Sequence, residues 1–198
     1  GNETLAVTVP PRTVFHVDLE LRYLPVVAKM REIVYSGCIG RLLQVSVELE
    51  SDWSMNDLVN DPFQASTVFG LGNWYIDLLD IFMGSDAVRV DIFGNYPKNP
   101  AYMEMGTAIV QYMDGVIGKW VFNLRDSREL RLKLRVFGSN GQAEADLITG
   151  TYRCYLRDGG EMNGDSRCSN PVYGFVGMRE SIDAFLSSVS DGVVSASG

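Results

Sequence analysis

RLKLRVFGSNGQAEADLITGTYRCYL, residues 131–156, decides the fold. Leu132, Leu134 and Val136 alternate with Arg131, Lys133 and Arg135; Ala143, Ala145 and Leu147 alternate with Glu144 and Asp146; Tyr152, Cys154 and Leu156 alternate with Arg153 and Tyr155. A period of two sends successive side chains to opposite faces of a strand, so one face here is aliphatic and the other charged. Ser139-Asn140-Gly141 and Thr149-Gly150 interrupt the pattern with the residue types that tight turns prefer. Consecutive antiparallel strands follow.

The same period runs upstream through Val88/Val90/Ile92, Ala108/Val110 and Ile117 to Phe122, with breaks at Pro97 to Pro100, Asp114-Gly115 and Arg125 to Arg128. This predicts a meander. Trp74 to Met83 is nearly all apolar except Asp77 and Asp80, which at a spacing of three share one face of a buried helix with Asn73. Further back, Val45, Val47 and Leu49 alternate with Ser46, Glu48 and Glu50. Leu24-Pro25 opens a helix carrying Val26, Val27, Met30, Ile33 and Val34 that Ser36-Gly37 ends. Phe15, Val17, Leu19 and Leu21 alternate with His16, Asp18, Glu20 and Arg22, which predicts a half-buried first strand and hence a strand-helix-strand unit. Asp158 to Gly174 reads as a loose segment, and Met178, Ile182, Phe185, Leu186 and Val189 mark a last amphipathic helix. The expected class is α+β: an open, predominantly antiparallel mixed sheet with helices packed on one face.

The opposite face carries Asp18, Glu20, Glu48, Arg131, Lys133, Arg135, Glu144, Asp146, Arg153 and Arg157, with Phe137, Tyr152 and Tyr155 nearby. It reads either as a solvated face laced by cross-strand ion pairs or as a surface that packs on a second copy.

Seventeen Lys and Arg against 25 Asp and Glu give the 198 residues a formal charge of -8, which repels a phosphate backbone. Nucleic acid is therefore not an expected partner. No apolar run reaches the ~18 residues of a membrane span, and three cysteines with one histidine leave little for a disulfide framework or a zinc site. A reducing, cytoplasmic setting is expected, with no membrane and no metal. His16 could serve a nucleophile as base or simply pair with a carboxylate. Neither GxGxxG nor GxxxxGK[ST] occurs, so any nucleotide cofactor is held outside this chain. Asp77 and Asp80 could act as an acid-base pair or hold a hard cation, or they could accept hydrogen bonds within the fold. Trp53 and Trp74 are either stacking platforms for a sugar or nicotinamide ring, or core.

From about Phe15 to Val189 the chain resembles the C-terminal domain of the glucose-fructose oxidoreductase / inositol dehydrogenase / MocA family. The carriers are Leu21-Arg22-Tyr23-Leu24-Pro25, similar to the family's R-[FY]-x-P helix entry, and Gly37-Cys38-Ile39-Gly40, similar to its G-x-[IL]-G turn. Gly70 to Asp77, with Gly84, stands in the place of the D-x-G-x-H-x-x-D helix, and Val136 to Glu144, with Gly138-Ser139-Asn140-Gly141, resembles the G-x-x-G hairpin. The resemblance implies a dihydrodipicolinate-reductase-like C-terminal domain. It also implies that residues 1–198 form a single substrate-side and oligomerising domain of a longer protein, whose N-terminal Rossmann domain, absent from this chain, would bind NAD or NADP. The substrate would be a sugar or polyol held by Trp53, Asn73, Trp74 and Asp77, with a homo-oligomer formed through the open sheet. In the family the motif's first aspartate and its histidine handle the substrate's proton; those positions are Gly70 and Trp74 here, and neither exchanges a proton. No catalytic residue is therefore expected in this chain, and no cofactor bound by it alone. A non-catalytic ligand-sensing member and a structural module with a filled pocket are the alternatives.

Overall fold

The computed structural model describes residues 14, 16–52, 72–95, 103–125, 129–167 and 177–191. Helix α1, Pro25–Tyr35, begins with proline in its first turn, where the missing N–H costs no intrahelical bond. It buries Val26, Val27, Met30 and Ile33, a single stripe at helical spacing. Ser36 then caps it by donating to the carbonyl of Ile33 at 2.8 Å, and Gly37 turns the chain with φ +75°.

Strand β1, Leu42–Glu50, follows, and helix α2, Gly72–Asp80, is the next element among the described residues. Seven more strands are β2 (Ala87–Gly94), β3 (Met105–Tyr112), β4 (Ile117–Asn123), β5 (Arg131–Gly138), β6 (Gly141–Asp146), β7 (Thr151–Leu156) and β8 (Glu161–Asp165). Helix α3, Met178–Asp191, ends the described chain. All eight strands form one sheet in the order β2-β3-β4-β1-β5-β6-β7-β8. β1 is parallel to β4 and antiparallel to β5, and every other pairing is antiparallel.

The expected class is therefore present, an open and mostly antiparallel mixed sheet with α1 and α2 on one face. One cross-sheet row on the helix side runs Ile92, Ala108, Trp120, Val47, Leu134, Ala145 and Tyr152. α1 packs over β5 to β7 and α2 over β4 and β1. Trp120, which is fully buried, stacks on Tyr75 of α2 at 5.3 Å and on Phe122 at 4.5 Å. The adjacent row on the other face runs Asp91, Ile109, Lys119, Ser46, Arg135, Glu144 and Arg153.

Four expectations change. The meander is interrupted, because β1 lies between β4 and β5; alternation assigns faces but carries no information about which strand lies beside which. Residues 16–19 are not a strand, and Glu20–Tyr23 is a 3-10 turn. The polar half of that alternation is real but is spent on tethers: Asp18 to Ser181, Glu20 to Trp74 and Arg22 to Asp77. The strand-helix-strand unit accordingly lacks its first member, and Asp18 and Glu20 leave the open-face array. Part of the loose segment is strand β8, held to β7 by backbone pairing despite having no apolar alternation. Its residues 168–174 lie outside the described ones. Tyr152 belongs to the helix side, 6.0 Å from the Lys29 ammonium of α1, while Phe137 and Tyr155 stay on the open face.

Two of the short motifs meet in space. The turn containing Gly37 and Gly40 docks on the β5–β6 hairpin: Asn140 N–H donates to Ile39 O at 2.8 Å, and Arg41 N–H donates to the Ser139 hydroxyl at 3.0 Å. A Cβ on Gly138 would collide with the carbonyl of Ile39, so glycine is required there by backbone approach.

Candidate functional site

Helix α2 starts at Gly72 and carries Asn73, Ile76, Asp77 and Asp80 along one side, positions three and four apart. Opposite them runs the irregular segment Val17–Leu19. Between the two lies an open cleft of about 560 Å³ lined by Val17, Asp18, Leu19, Asn73, Trp74, Ile76, Asp77 and Asp80, with Gly72 at its rim. Three of the residues singled out from the sequence, Asn73, Trp74 and Asp77, thus line one cavity. Trp53 lies outside the described residues.

Each polar group of the wall has a partner that fixes it. Asp77, 9% exposed, receives two hydrogen bonds from the Arg22 guanidinium: Nε donates to Oδ2 at 2.9 Å and a terminal nitrogen donates to Oδ1. This fork raises the already high pKa of Arg22. Asp80, one turn on, accepts from the Tyr112 hydroxyl of β3. Burial, and then that carboxylate, push the Tyr112 phenol well above its ordinary range, so it remains a neutral donor. The half-buried Trp74 indole donates to Glu20 Oε2 at 2.6 Å. Glu20 sits in a raised range because burial disfavours its charge, an effect that exceeds the lowering by its backbone and Trp74 hydrogen bonds.

The indole does not fill the cleft; it forms part of the wall with its N–H directed to Glu20. His16 is engaged within the fold, by way of Ser181. Ser181 is fully buried and donates its one proton to Asp18 Oδ1 at 2.6 Å, so it accepts from His16 Nε2 at 3.0 Å. The three side chains clasp α3 to the segment preceding α1.

Asp77 and Asp80 each accept from a donor of their own, Arg22 and Tyr112. Among the described residues no cluster of three or more His, Cys, Asp or Glu side chains could hold a metal ion. The sequence does not disclose Glu20 as the anchor of Trp74, Tyr112 as the donor to Asp80, or Arg22 as the partner of Asp77, because these pairs span 32 to 55 residues. Arg22 alone carries a signal, its place in the helix-entry motif. Cys38 and Cys154 are free thiols, and burial first, then the neighbouring Cys38, push the Cys154 thiol up to about 11. No helix among the described residues is long and apolar enough to cross a membrane.

A sequence model described as the GFO/IDH/MocA C-terminal domain matches residues 27–144. Glucose-fructose oxidoreductase domain-containing protein 1 of Mus musculus is 31% identical over 78 residues, 35% of this chain and 19% of its own length. Levoglucosan dehydrogenase, solved with NADH and levoglucosan, superposes with a TM-score of 0.77 at 15% identity over 93% of this chain and 59% of that one. UDP-N-acetylglucosamine 3-dehydrogenase GnnA from Acidithiobacillus ferrooxidans gives 0.74 at 18% identity, over 92% and 54%. At these identities the structural likeness establishes the fold alone. The chain spans less than two thirds of each of these relatives.

Proposed function

This chain belongs to the GFO/IDH/MocA C-terminal domain family, and from that premise we propose that it is the substrate-side and oligomerising domain of an NAD(P)-dependent oxidoreductase acting on a sugar or polyol in the cytoplasm. The observation that carries the reading is the convergence of Asn73, Trp74 and Asp77 on one cleft at the start of α2. An aromatic wall with carboxylates around it suits a polyhydroxylated ring, whose C–H face rests on the indole while its hydroxyls donate to acid oxygens.

NAD(P) would supply or remove a hydride, but the described residues do not fit that cofactor. α1 starts on proline, and the wall of the α2 cleft carries three carboxylates that repel a pyrophosphate. The cofactor would be presented by a Rossmann domain preceding this one, and the chain would be inactive alone. What the chain supplies is binding and orientation: Arg22 fixes Asp77, Tyr112 fixes Asp80 and Glu20 fixes Trp74, so the wall is ordered before a ligand arrives. The domain is dihydrodipicolinate-reductase-like in this reading. It assembles through the open sheet, where Phe93, Ile109, Ile117 and Val121 form an apolar region beside the charged strands β5 to β7.

The test is the protein carrying its nucleotide-binding part, assayed with NAD and NADP against a polyol and sugar panel. Cofactor binding with ring-dependent turnover is expected; absence of both defeats the oxidoreductase reading. A second reading, a ligand-sensing member without turnover, is favoured by Gly70 and by Trp74, whose indole N–H is a donor only. It predicts cofactor or sugar binding with no product, and turnover by the native protein defeats it.

A further inference from the structure

We infer that the α2 cleft selects its ligand by charge, taking an amino sugar most tightly, a neutral ring next, and disfavouring phosphorylated or carboxylated rings. The inference rests on the substrate-side reading above and goes further by fixing the charge class. The cavity and the indole make the site; the charges around it decide what enters.

Among the described residues the lining holds three carboxylates, Asp18, Asp77 and Asp80, and no Lys, Arg or His side chain. The compensation differs among the three. Asp77 has a cation against it, the bidentate Arg22 guanidinium, so its charge is largely offset. Asp18 and Asp80 are held by neutral hydroxyls, Ser181 and Tyr112 respectively, and the charge of Arg22 reaches Asp80 more weakly than it reaches Asp77. A hydroxyl satisfies one lone pair of a carboxylate and leaves its charge in place. Tyr112 stays protonated because its ionisation is pushed upward, so it adds no second negative charge and takes none away. Asp18, and Asp80 less fully offset than Asp77, therefore carry negative charge into the cleft, and among the described residues no cation belongs to its wall. Glu20, behind Trp74, lies farther back and is not part of the wall.

Ionised carboxylates only accept hydrogen bonds, so the ligand must bring donors, and an ammonium brings three with a compensating charge. The apolar remainder of the wall, Val17, Leu19, Trp74 and Ile76, matches the C–H faces of a ring but offers nothing to an anion. One like charge about 6 Å from a single such carboxylate costs on the order of tenfold in affinity at an effective dielectric of about 40.

The experiment uses the 198-residue chain and three rings of one size, glucosamine, glucose and glucuronate, near neutral pH with saturation-transfer NMR titrations at low and high salt. Glucosamine is expected to bind tightest and glucuronate about tenfold or more weaker than glucose, with the spread narrowing as salt rises. A chain carrying Asp18→Asn and Asp80→Asn, checked for folding by circular dichroism, should flatten the order. Glucuronate binding as well as glucose, or an order that salt leaves unchanged, overturns charge selection while leaving the substrate-side reading intact. Failure of all three rings to bind overturns both.

Discussion

On the helix side of the sheet, Val45, Val47, Trp120, Leu134 and Ala143 are sealed beneath α1 and α2, each at 1% exposure or less. On the other side their strand neighbours Glu48, Lys119, Arg135 and Glu144 have no helix among the described residues over them. Both faces come from the same alternating strands. The covered one holds the domain together, since apolar area removed from water contributes roughly 25 cal/mol per Å². The open one contributes little: Arg135 reaches Glu48 at 3.2 Å and Glu144 at 3.7 Å, and Arg131 reaches Glu50, all about a third or more exposed. That weak face also keeps Phe137, Tyr155, Ile109 and Val121, the groups through which the proposed assembly would pack. The comparison separates what makes the fold from what the fold presents.

That separation can be broken most severely from the covered side. Leu134→Ala should cost about 2–5 kcal/mol in urea unfolding, because Leu134 is fully buried between β1 and β6. Arg22→Ala should cost about 3 kcal/mol by stranding the Asp77 carboxylate, and it should also loosen the cleft wall, visible as faster amide exchange at the start of α2. On the open face the sign of the contrast reverses. Val121→Glu should change unfolding by no more than about 1 kcal/mol yet turn an oligomer into monomer by light scattering; an oligomer that survives it sharpens the search toward β5 to β7.

Smaller still is the pH effect of Glu20. Its folded pKa is raised, chiefly by burial, so its contribution to stability is fully present below the ordinary carboxylate value and is lost as pH rises through the raised one. Glu20→Gln should therefore gain on the native chain at neutral pH and lose that advantage in acid, as read from unfolding midpoints across the range. At the bottom of the scale, Cys154 should resist alkylation at about pH 8 in the folded chain, since its thiol is pushed up to about 11.

The period of two was enough to place Leu132, Leu134 and Val136 inward and Arg131, Lys133 and Arg135 outward, and the turn residues at Ser139 to Gly141 located the hairpin. What it could not place is β1, because pairing depends on matching two distant apolar rows rather than on anything within either strand. The segment before α1 misled for a related reason. His16, Asp18, Glu20 and Arg22 alternate like a strand, but their partners Ser181, Trp74 and Asp77 are distant in sequence and were chosen by tertiary structure. β8 escaped notice because an edge strand such as Glu161–Asp165 is held by its backbone and needs no apolar pattern. At the cleft, Asn73, Trp74 and Asp77 were legible as one helix face with its leading tryptophan, since helical spacing is local information. The opposite wall, Val17 to Leu19, was not.

The account depends on Trp74 and the carboxylates around it forming the surface on which a ring is held for a hydride delivered from elsewhere. The most direct measurement is ring-dependent nicotinamide reduction by the protein carrying its nucleotide-binding part, compared with its Trp74→Leu variant. The account predicts that the variant still binds the cofactor and loses turnover at least tenfold, roughly the loss of one aromatic contact. Turnover unaffected by removing the indole would contradict it.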